Sequence, residues 1–112
     1  VVSDLSSEDM AEVIEDAFRY DRMVLCGASY DGGVFPCMED FLHHLQAKAY
    51  QKRTIGLVEN GSWAPCANKA MRAIVDTFKD VTVVEPSVTI RSTLKESDME
   101  AMEALASAIA EA

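Results

Sequence analysis

Positive charge is scarce in this chain: ten lysines and arginines stand against nineteen aspartates and glutamates, a formal net charge of −9. A surface of that sign repels phosphate backbones, so nucleic-acid binding is excluded as a reading. Long apolar runs are missing as well. None approaches the roughly 20 residues of a membrane-spanning helix, and no basic leader precedes an apolar stretch, so neither a membrane span nor a signal peptide is read. Cysteine is limited to three residues without a Cys-x-x-Cys pair, which excludes a disulfide framework and a redox pair and suits a reducing, cytoplasmic setting. The two histidines, His43 and His44, are neighbours in a helical stretch. They point to different sides of it, toward solvent, so no metal site is read.

What is present describes a folded domain. Apolar residues make up 49% of the chain and charged residues 26%, which argues against disorder. Residues 1–112 read as one domain, long enough to bury roughly two-thirds of the unfolded surface. The acidic balance fits a basic docking partner.

Strand and helix patterns alternate throughout, the signature of a parallel sheet covered by helices. Ser6 and Asp9 form a Ser-x-x-Asp variant of the capping box, predicting a helix with Met10, Val13, Ile14, Ala17 and Phe18 on its inner face. A strand follows over Met23–Ala28. Pro36 opens a second helix with Met38, Phe41, Leu42, Leu45 and Ala49 inward. After a strand at Thr54–Val58, Pro65 opens a third helix with Ala67, Ala70, Met71, Ile74, Val75 and Phe78 inward. Proline at a first helical position loses no hydrogen bond, so both prolines mark starts. Val81–Val84 and Val88–Ile90 read as one strand interrupted near Pro86. Ser97 and Glu100 cap the last helix, where Met102, Leu105, Ala106 and Ile109 pack. Cys26 reads as inert core. Cys37 and Cys66 each follow a helix-opening proline, where the helix dipole favours a thiolate, although a small residue in a first turn is the commoner reason for a cysteine there.

Two loops concentrate the polar chemistry. Ala28-Ser29-Tyr30-Asp31-Gly32-Gly33-Val34-Phe35-Pro36 follows one strand, and Glu59-Asn60-Gly61-Ser62-Trp63-Ala64-Pro65 follows the next. Loops at the carboxyl ends of parallel strands are where open α/β sheets bind ligands. Their glycines let backbone amides approach a ligand, and Tyr30 and Trp63 offer ring faces. The pair reads as two walls of a slot for a flat, polar-edged molecule. The bland reading is two glycine-rich turns whose aromatics cover a sheet edge.

The text of these loops, GASYDGGVFP over Gly27–Pro36 and GLVENGSWAP over Gly56–Pro65, with VVEPSVTIRSTL over Val83–Leu94, resembles the C-terminal flavodoxin-like domain of the flavodiiron (A-type flavoprotein) family. The resemblance implies an α/β flavodoxin-like three-layer sandwich with a parallel sheet ordered 2-1-3-4-5. It implies FMN as cofactor, held by Ser29, Tyr30, Asp31, Gly32 and Gly33 in one loop and by Asn60, Gly61, Ser62 and Trp63 in the other. The implied function is electron transfer within a flavodiiron oxygen or nitric oxide reductase. Its implied partners are a diiron metallo-β-lactamase-like domain and a rubredoxin-type electron donor. The chain holds no complete catalytic site, so activity attaches to the parent oxidoreductase. The alternative is a non-redox interaction or structural domain with a degenerate flavodoxin-like fold.

One departure shapes the expectations. The family's domain opens with a strand and a Ser/Thr-rich loop cradling the FMN phosphate, whereas Val1-Val2-Ser3-Asp4-Leu5 resembles the end of the family's second strand. The reading is therefore an N-terminally truncated fragment with weak FMN affinity. Trp63 is expected at the exposed mouth of the slot. The edge of Met23–Ala28 is expected to be repaired by residues 1–5, or else by a second copy in a homodimer. Two further readings fail on their residues. Gly27-Ala28-Ser29-Tyr30-Asp31 approaches a nucleophile elbow but lacks its second glycine and a nearby base. A phospho-receiver would need an acidic acceptor at the end of the strand Met23–Ala28, which has none.

Overall fold

Asp4 organises the start of the chain. Its carbonyl accepts the N–H groups of Ser7 and Glu8, and its carboxylate accepts the Ser6 hydroxyl and N–H. Those donors, the Ser6 hydroxyl foremost, hold the Asp4 carboxyl below its ordinary value. The computed structural model, which describes residues 2–30, 33–61, 66–85, 87–91 and 95–111 and Tyr30 in its backbone only, then turns into helix α1 (Met10–Arg19). Asp9 is its N-cap, accepting the Ala11 N–H at 3.2 Å. The expected Ser6 cap is thus a correction: Ser6 belongs to the preceding turn, because the Asp4 carboxylate claims it first.

Strand β1 (Arg22–Tyr30) folds back on the two-residue strand β2 (Gly33–Val34) in an antiparallel pair, Ser29 opposite Val34 and Tyr30 opposite Gly33. Helix α2 (Pro36–Ala47) starts on proline as expected and buries Met38, Phe41, Leu42 and Leu45. It ends in a Schellman motif: Ala49 takes a left-handed φ of 57°, the Tyr50 N–H reaches the Leu45 carbonyl at 3.0 Å and the Ala49 N–H reaches Gln46 at 3.2 Å. Ala49 therefore lies past the helix instead of on its inner face, and Tyr50 is driven into the core at 1% exposure.

Strand β3 (Thr54–Asn60) runs parallel to β1, Arg22 paired with Thr54 through Ala28 with Asn60. Helix α3 (Ala67–Val75) buries Ala67, Met71 and Val75, while Ala70, Ile74 and Phe78 pack at the core's margin. Strands β4 (Thr82–Val83) and β5 (Val88–Ile90) both pair with β3 in parallel, which is the interrupted strand the sequence predicts. Helix α4 (Glu96–Glu111) closes the chain. Asp98, and not Ser97 with Glu100, completes its start, accepting the Lys95 N–H at 2.9 Å.

The sheet runs β2-β1-β3-β4, with β5 also on β3. Helices α1, α2 and α3 cover one face over Leu25, Ile55 and Leu57. Helix α4 covers the other, packing Leu105 against Val58, Val84 and Val88. Its inner face is Ala101, Leu105, Ala108 and Ile109. Ala106 is exposed and Met102 is 36% exposed, contrary to expectation. Close approach of α4 needs Gly56, where an added Cβ would lie 3.0 Å from Leu105 Cδ1.

Arg53 ties the amino-terminal ends together. It donates to the carbonyls of Phe18 and Tyr20 at 3.0 Å and of Gln51 at 2.7 Å. Its guanidinium lies 5.1 Å from the centroid of the Tyr50 ring, whose edge-to-face partners are Phe18 and Phe78.

Two expectations about β1 are overturned. Cys26 is exposed, not core, because alternation turns Val24 and Cys26 toward the face where α4 packs over β3 and β5 and leaves the middle of β1 uncovered. Residues 2–5 do not repair the strand: no backbone bond joins them to Met23–Ala28 among the described residues. The turn capped by Asp4 swings the chain into α1 before it can run along β1.

Candidate functional site

The two loops singled out in the sequence leave the carboxyl ends of β1 and β3 side by side, since Ala28 and Asn60 are register partners. Adjacent strands lie about 4.8 Å apart, so both loops open onto one end of the sheet.

The start of α3 locks them together. The Ser29 hydroxyl accepts the N–H of Cys66 at 2.9 Å and of Ala67 at 3.2 Å. The Cys66 thiol donates to the Gly33 carbonyl at 3.3 Å. Behind them, Glu59 is buried at 7% exposure. One carboxylate oxygen accepts the Asn68 N–H at 3.0 Å, and the other accepts the Thr89 hydroxyl at 2.6 Å. Asn68 in turn donates to the Val88 carbonyl at 3.1 Å. The first turn of α3 carries no acidic residue of its own; side chains of β1 and β3 supply its caps instead. A negative group at a helix start is favoured by the dipole, which accounts for a carboxylate being tolerated there. These contacts also consume the amides of residues 66–68 that would otherwise face an anion.

The candidate residues separate accordingly. Ser29 holds α3 through its hydroxyl. Gly33 lies in β2 and offers its carbonyl to Cys66. Asn60 is exposed at the end of β3, and the Gly61 N–H continues the ladder to the Ile90 carbonyl at 3.0 Å. Tyr30 is placed by its backbone on β1. Asp31, Gly32, Ser62 and Trp63 lie outside the described residues, and with them the expected placement of Trp63 at the mouth. Pro65 lies outside them as well.

Three features here escape the sequence reading. The hairpin β1–β2 is signalled by Asp31-Gly32 between Tyr30 and Gly33, a strong two-residue turn sequence. Glu59 closes an apolar run, Ile55-Gly56-Leu57-Val58, and its capping of α3 across the sheet end has no local sequence signal. The partial exposure of Phe35, 44%, beside the loop has no sequence signal.

His43 and His44 are exposed on α2, 3.6 Å from Glu39 and 3.7 Å from Asp40, each one helical turn back. No cluster suited to a metal ion occurs among the described residues. No helix among them is long and apolar enough to cross a membrane.

No protein-family model matches the sequence, and no curated protein matches it. Solved structures do. The chain is similar to a rubredoxin oxygen:oxidoreductase from the anaerobe Desulfovibrio gigas, with a TM-score of 0.74 and 15% identity over 91% of this chain. It is also similar to a short-chain flavodoxin associated with a non-canonical PDU bacterial microcompartment, with a TM-score of 0.73 and 22% identity over 96% of this chain. The match spans 31% of the oxidoreductase and 73% of the flavodoxin. With three helices on one side of a mostly parallel sheet and one on the other, this chain has a flavodoxin-like fold.

Proposed function

We propose that this chain is an FMN-binding electron-transfer domain whose two loops, at Ser29–Gly33 and Asn60–Trp63, grip the flavin ring. The observation that carries the reading is the Ser29–Cys66 clasp, which holds two glycine-bearing loops together at the carboxyl end of adjacent parallel strands. The described residues fit a ring better than a phosphate. Exposed Asn60 at the end of β3 suits the polar edge of a flat molecule, while the α3 amides are already spent on Ser29 and Glu59.

FMN, when bound, supplies the capacity to accept electrons and pass them on. The chain's own residues would orient the ring, with Trp63 and Tyr30 providing stacking faces. Stacking of this kind is worth about 1–3 kcal/mol per ring face, which corresponds to affinity of about millimolar or weaker for these loops acting alone. A net charge of −9 adds nothing favourable for a phosphate.

The likeness to a rubredoxin oxygen:oxidoreductase supports a place in a flavodiiron oxygen or nitric oxide reductase. The diiron metallo-β-lactamase-like domain would be the electron acceptor and a rubredoxin-type protein the donor.

Titration of the 112-residue chain with FMN and with riboflavin tests the reading. Quenching of the single tryptophan, Trp63, by both compounds with similar millimolar midpoints is expected. Submicromolar FMN binding would sink the ring-only account. Absence of quenching by either flavin would favour the non-redox interaction domain.

A further inference from the structure

Glu59 breaks the pattern of charge in this chain. Among the described residues it is the one charged side chain that is buried. The described ion pairs, from Arg19 with Asp16 to Arg72 with Glu85, all reach solvent, and none of them includes Glu59. A buried carboxylate without a cation is costly, because water no longer solvates it and the interior screens it poorly. Two neutral donors, the Asn68 N–H and the Thr89 hydroxyl, hold it at the positive end of α3. They steady the charge without cancelling it. The cluster is not tuned for stability either, since the Asn68 Oδ1 atom is buried with no hydrogen-bond partner among the described residues.

The place of this charge is specific. Glu59 pairs with Gly27 on β1 and with Thr89 on β5, and the next residue, Asn60, pairs with Ala28 and Ile90. It therefore lies one residue behind the sheet end from which both loops leave. Alternation puts it on the side of Ile55 and Leu57, under the first turn of α3 that Ser29 clasps. Capping alone does not require a charge there, because glutamine would satisfy the same two contacts. Buried charges of this kind concentrate at functional sites.

We infer that the Glu59 carboxylate makes this site select the neutral form of its ring ligand over the anionic form. For a flavin, that means oxidised FMN over reduced FMN. The selectivity presupposes flavin binding as proposed above and gives it a direction. The oxidised ring is neutral, whereas uptake of two electrons and one proton leaves the ring with one negative charge. An uncompensated anion beneath the loops repels that added charge through a weakly screening interior and leaves the neutral ring unopposed. A charge beside the ring is one of the levers by which a protein tunes a flavin. By linkage, a site that holds the oxidised form more tightly makes the bound flavin harder to reduce and a stronger donor once reduced.

The probe is FMN, titrated anaerobically into the full 112-residue chain, both oxidised and after catalytic reduction with hydrogen. The amide NMR signals of Asn60 and Gly61 report binding. We expect the oxidised form to bind about tenfold more tightly than the reduced form. Glu59→Gln should tighten the reduced form about tenfold and leave the oxidised form within about twofold. Glu59→Asp, which keeps the charge on a shorter side chain, should keep the preference. Glu100→Gln, which removes an exposed charge on α4, should leave the preference unaltered. An unchanged preference in Glu59→Gln would overturn the inference and leave the flavin reading standing. So would an equal loss of affinity for both forms, or a matching effect of Glu100→Gln. Oxidised FMN that shifts neither amide in any of these proteins would overturn the flavin reading, and the selectivity with it.

Discussion

The Ser29 hydroxyl accepts the N–H groups of both Cys66 and Ala67, at 2.9 and 3.2 Å, so the end of one strand caps the helix that begins 38 residues later. The residue that its sequence assigns to a ligand loop is also the fastening between two loops. Ser29→Ala should therefore lower stability by about 1 kcal/mol, as loss of a helix cap does, and should weaken flavin quenching of Trp63 in parallel. Denaturant unfolding and flavin titration of the same variant check this. Unchanged stability would show that the clasp contributes nothing.

Glu59 offers a sharper contrast. Its carboxylate joins Asn68 of α3 to Thr89 of β5. Glu59→Ala leaves a buried N–H and a hydroxyl unpaired and should cost about 2–3 kcal/mol. Glu59→Gln keeps an acceptor for Asn68 and a donor for Thr89, so its cost should stay within about 1 kcal/mol. Equal losses for both variants, read from chemical denaturation midpoints, would mean the charge itself matters.

Ala49 is a residue in the wrong conformation for its side chain. At φ 57° it bears a left-handed penalty of about 1–2 kcal/mol. Glycine removes that penalty but loses about 0.5–1 kcal/mol in unfolded-state entropy. Relief of the steric penalty outweighs the entropy loss, so Ala49→Gly should stabilise the protein by about 0.5–1 kcal/mol. Thermal unfolding should show a midpoint raised by a few degrees.

Tyr50 makes a prediction about alkaline pH. Burial pushes its phenol above the ordinary value of 10.0, against the opposing pull of the Arg53 charge. In the unfolded chain the phenol ionises near pH 10; in the folded chain it holds its proton longer. Unfolding above pH 10 therefore releases a proton, so this contribution is full below pH 10 and falls as pH rises through the folded value. Tyr50→Phe should flatten that alkaline loss. At neutral pH it should be neutral or slightly stabilising, since the hydroxyl is buried without a hydrogen-bond partner among the described residues. Stability curves of both proteins between pH 8 and 11 decide it.

Gly27 sets how closely β2 and α3 approach β1. An added Cβ would lie 2.8 Å from Val34 Cγ2 and 3.2 Å from Met71 Sδ, and Val34 is buried at 3% exposure with little room to give. Gly27→Ala should cost about 1–3 kcal/mol by overpacking. Adding Val34→Ala should recover part of that loss in a double-mutant cycle.

Much of the fold is legible because its signals are local. Apolar runs at Met23–Ala28 and Thr54–Val58 specify strands, Pro36 opens α2, and the 3.6-residue period selects Val13, Phe41 and Met71 as core. The positions of the two glycine-bearing loops follow from the same pattern. The errors share a different origin. Ser6 satisfies a capping template, yet Asp4 takes its hydroxyl and Asp9 becomes the cap. Ala106 fits the apolar period of α4 but faces solvent, because the helix rolls to place Ala101, Leu105, Ala108 and Ile109 on the sheet.

The sequence by itself determines which stretches are strands and helices, where glycine loops interrupt them, and the sign of the surface charge. Each of these depends on residues within one turn or one strand of one another. Only the tertiary structure decides that Ser29 and Glu59 cap α3, that Cys26 is exposed, and that one edge of β1 lacks a partner among the described residues. Those outcomes depend on which elements lie beside a residue and on how much of each sheet face the helices cover. A two-residue period says that a strand has two faces; the packing of α4 against β3 determines that the face bearing Val24 and Cys26 is left open.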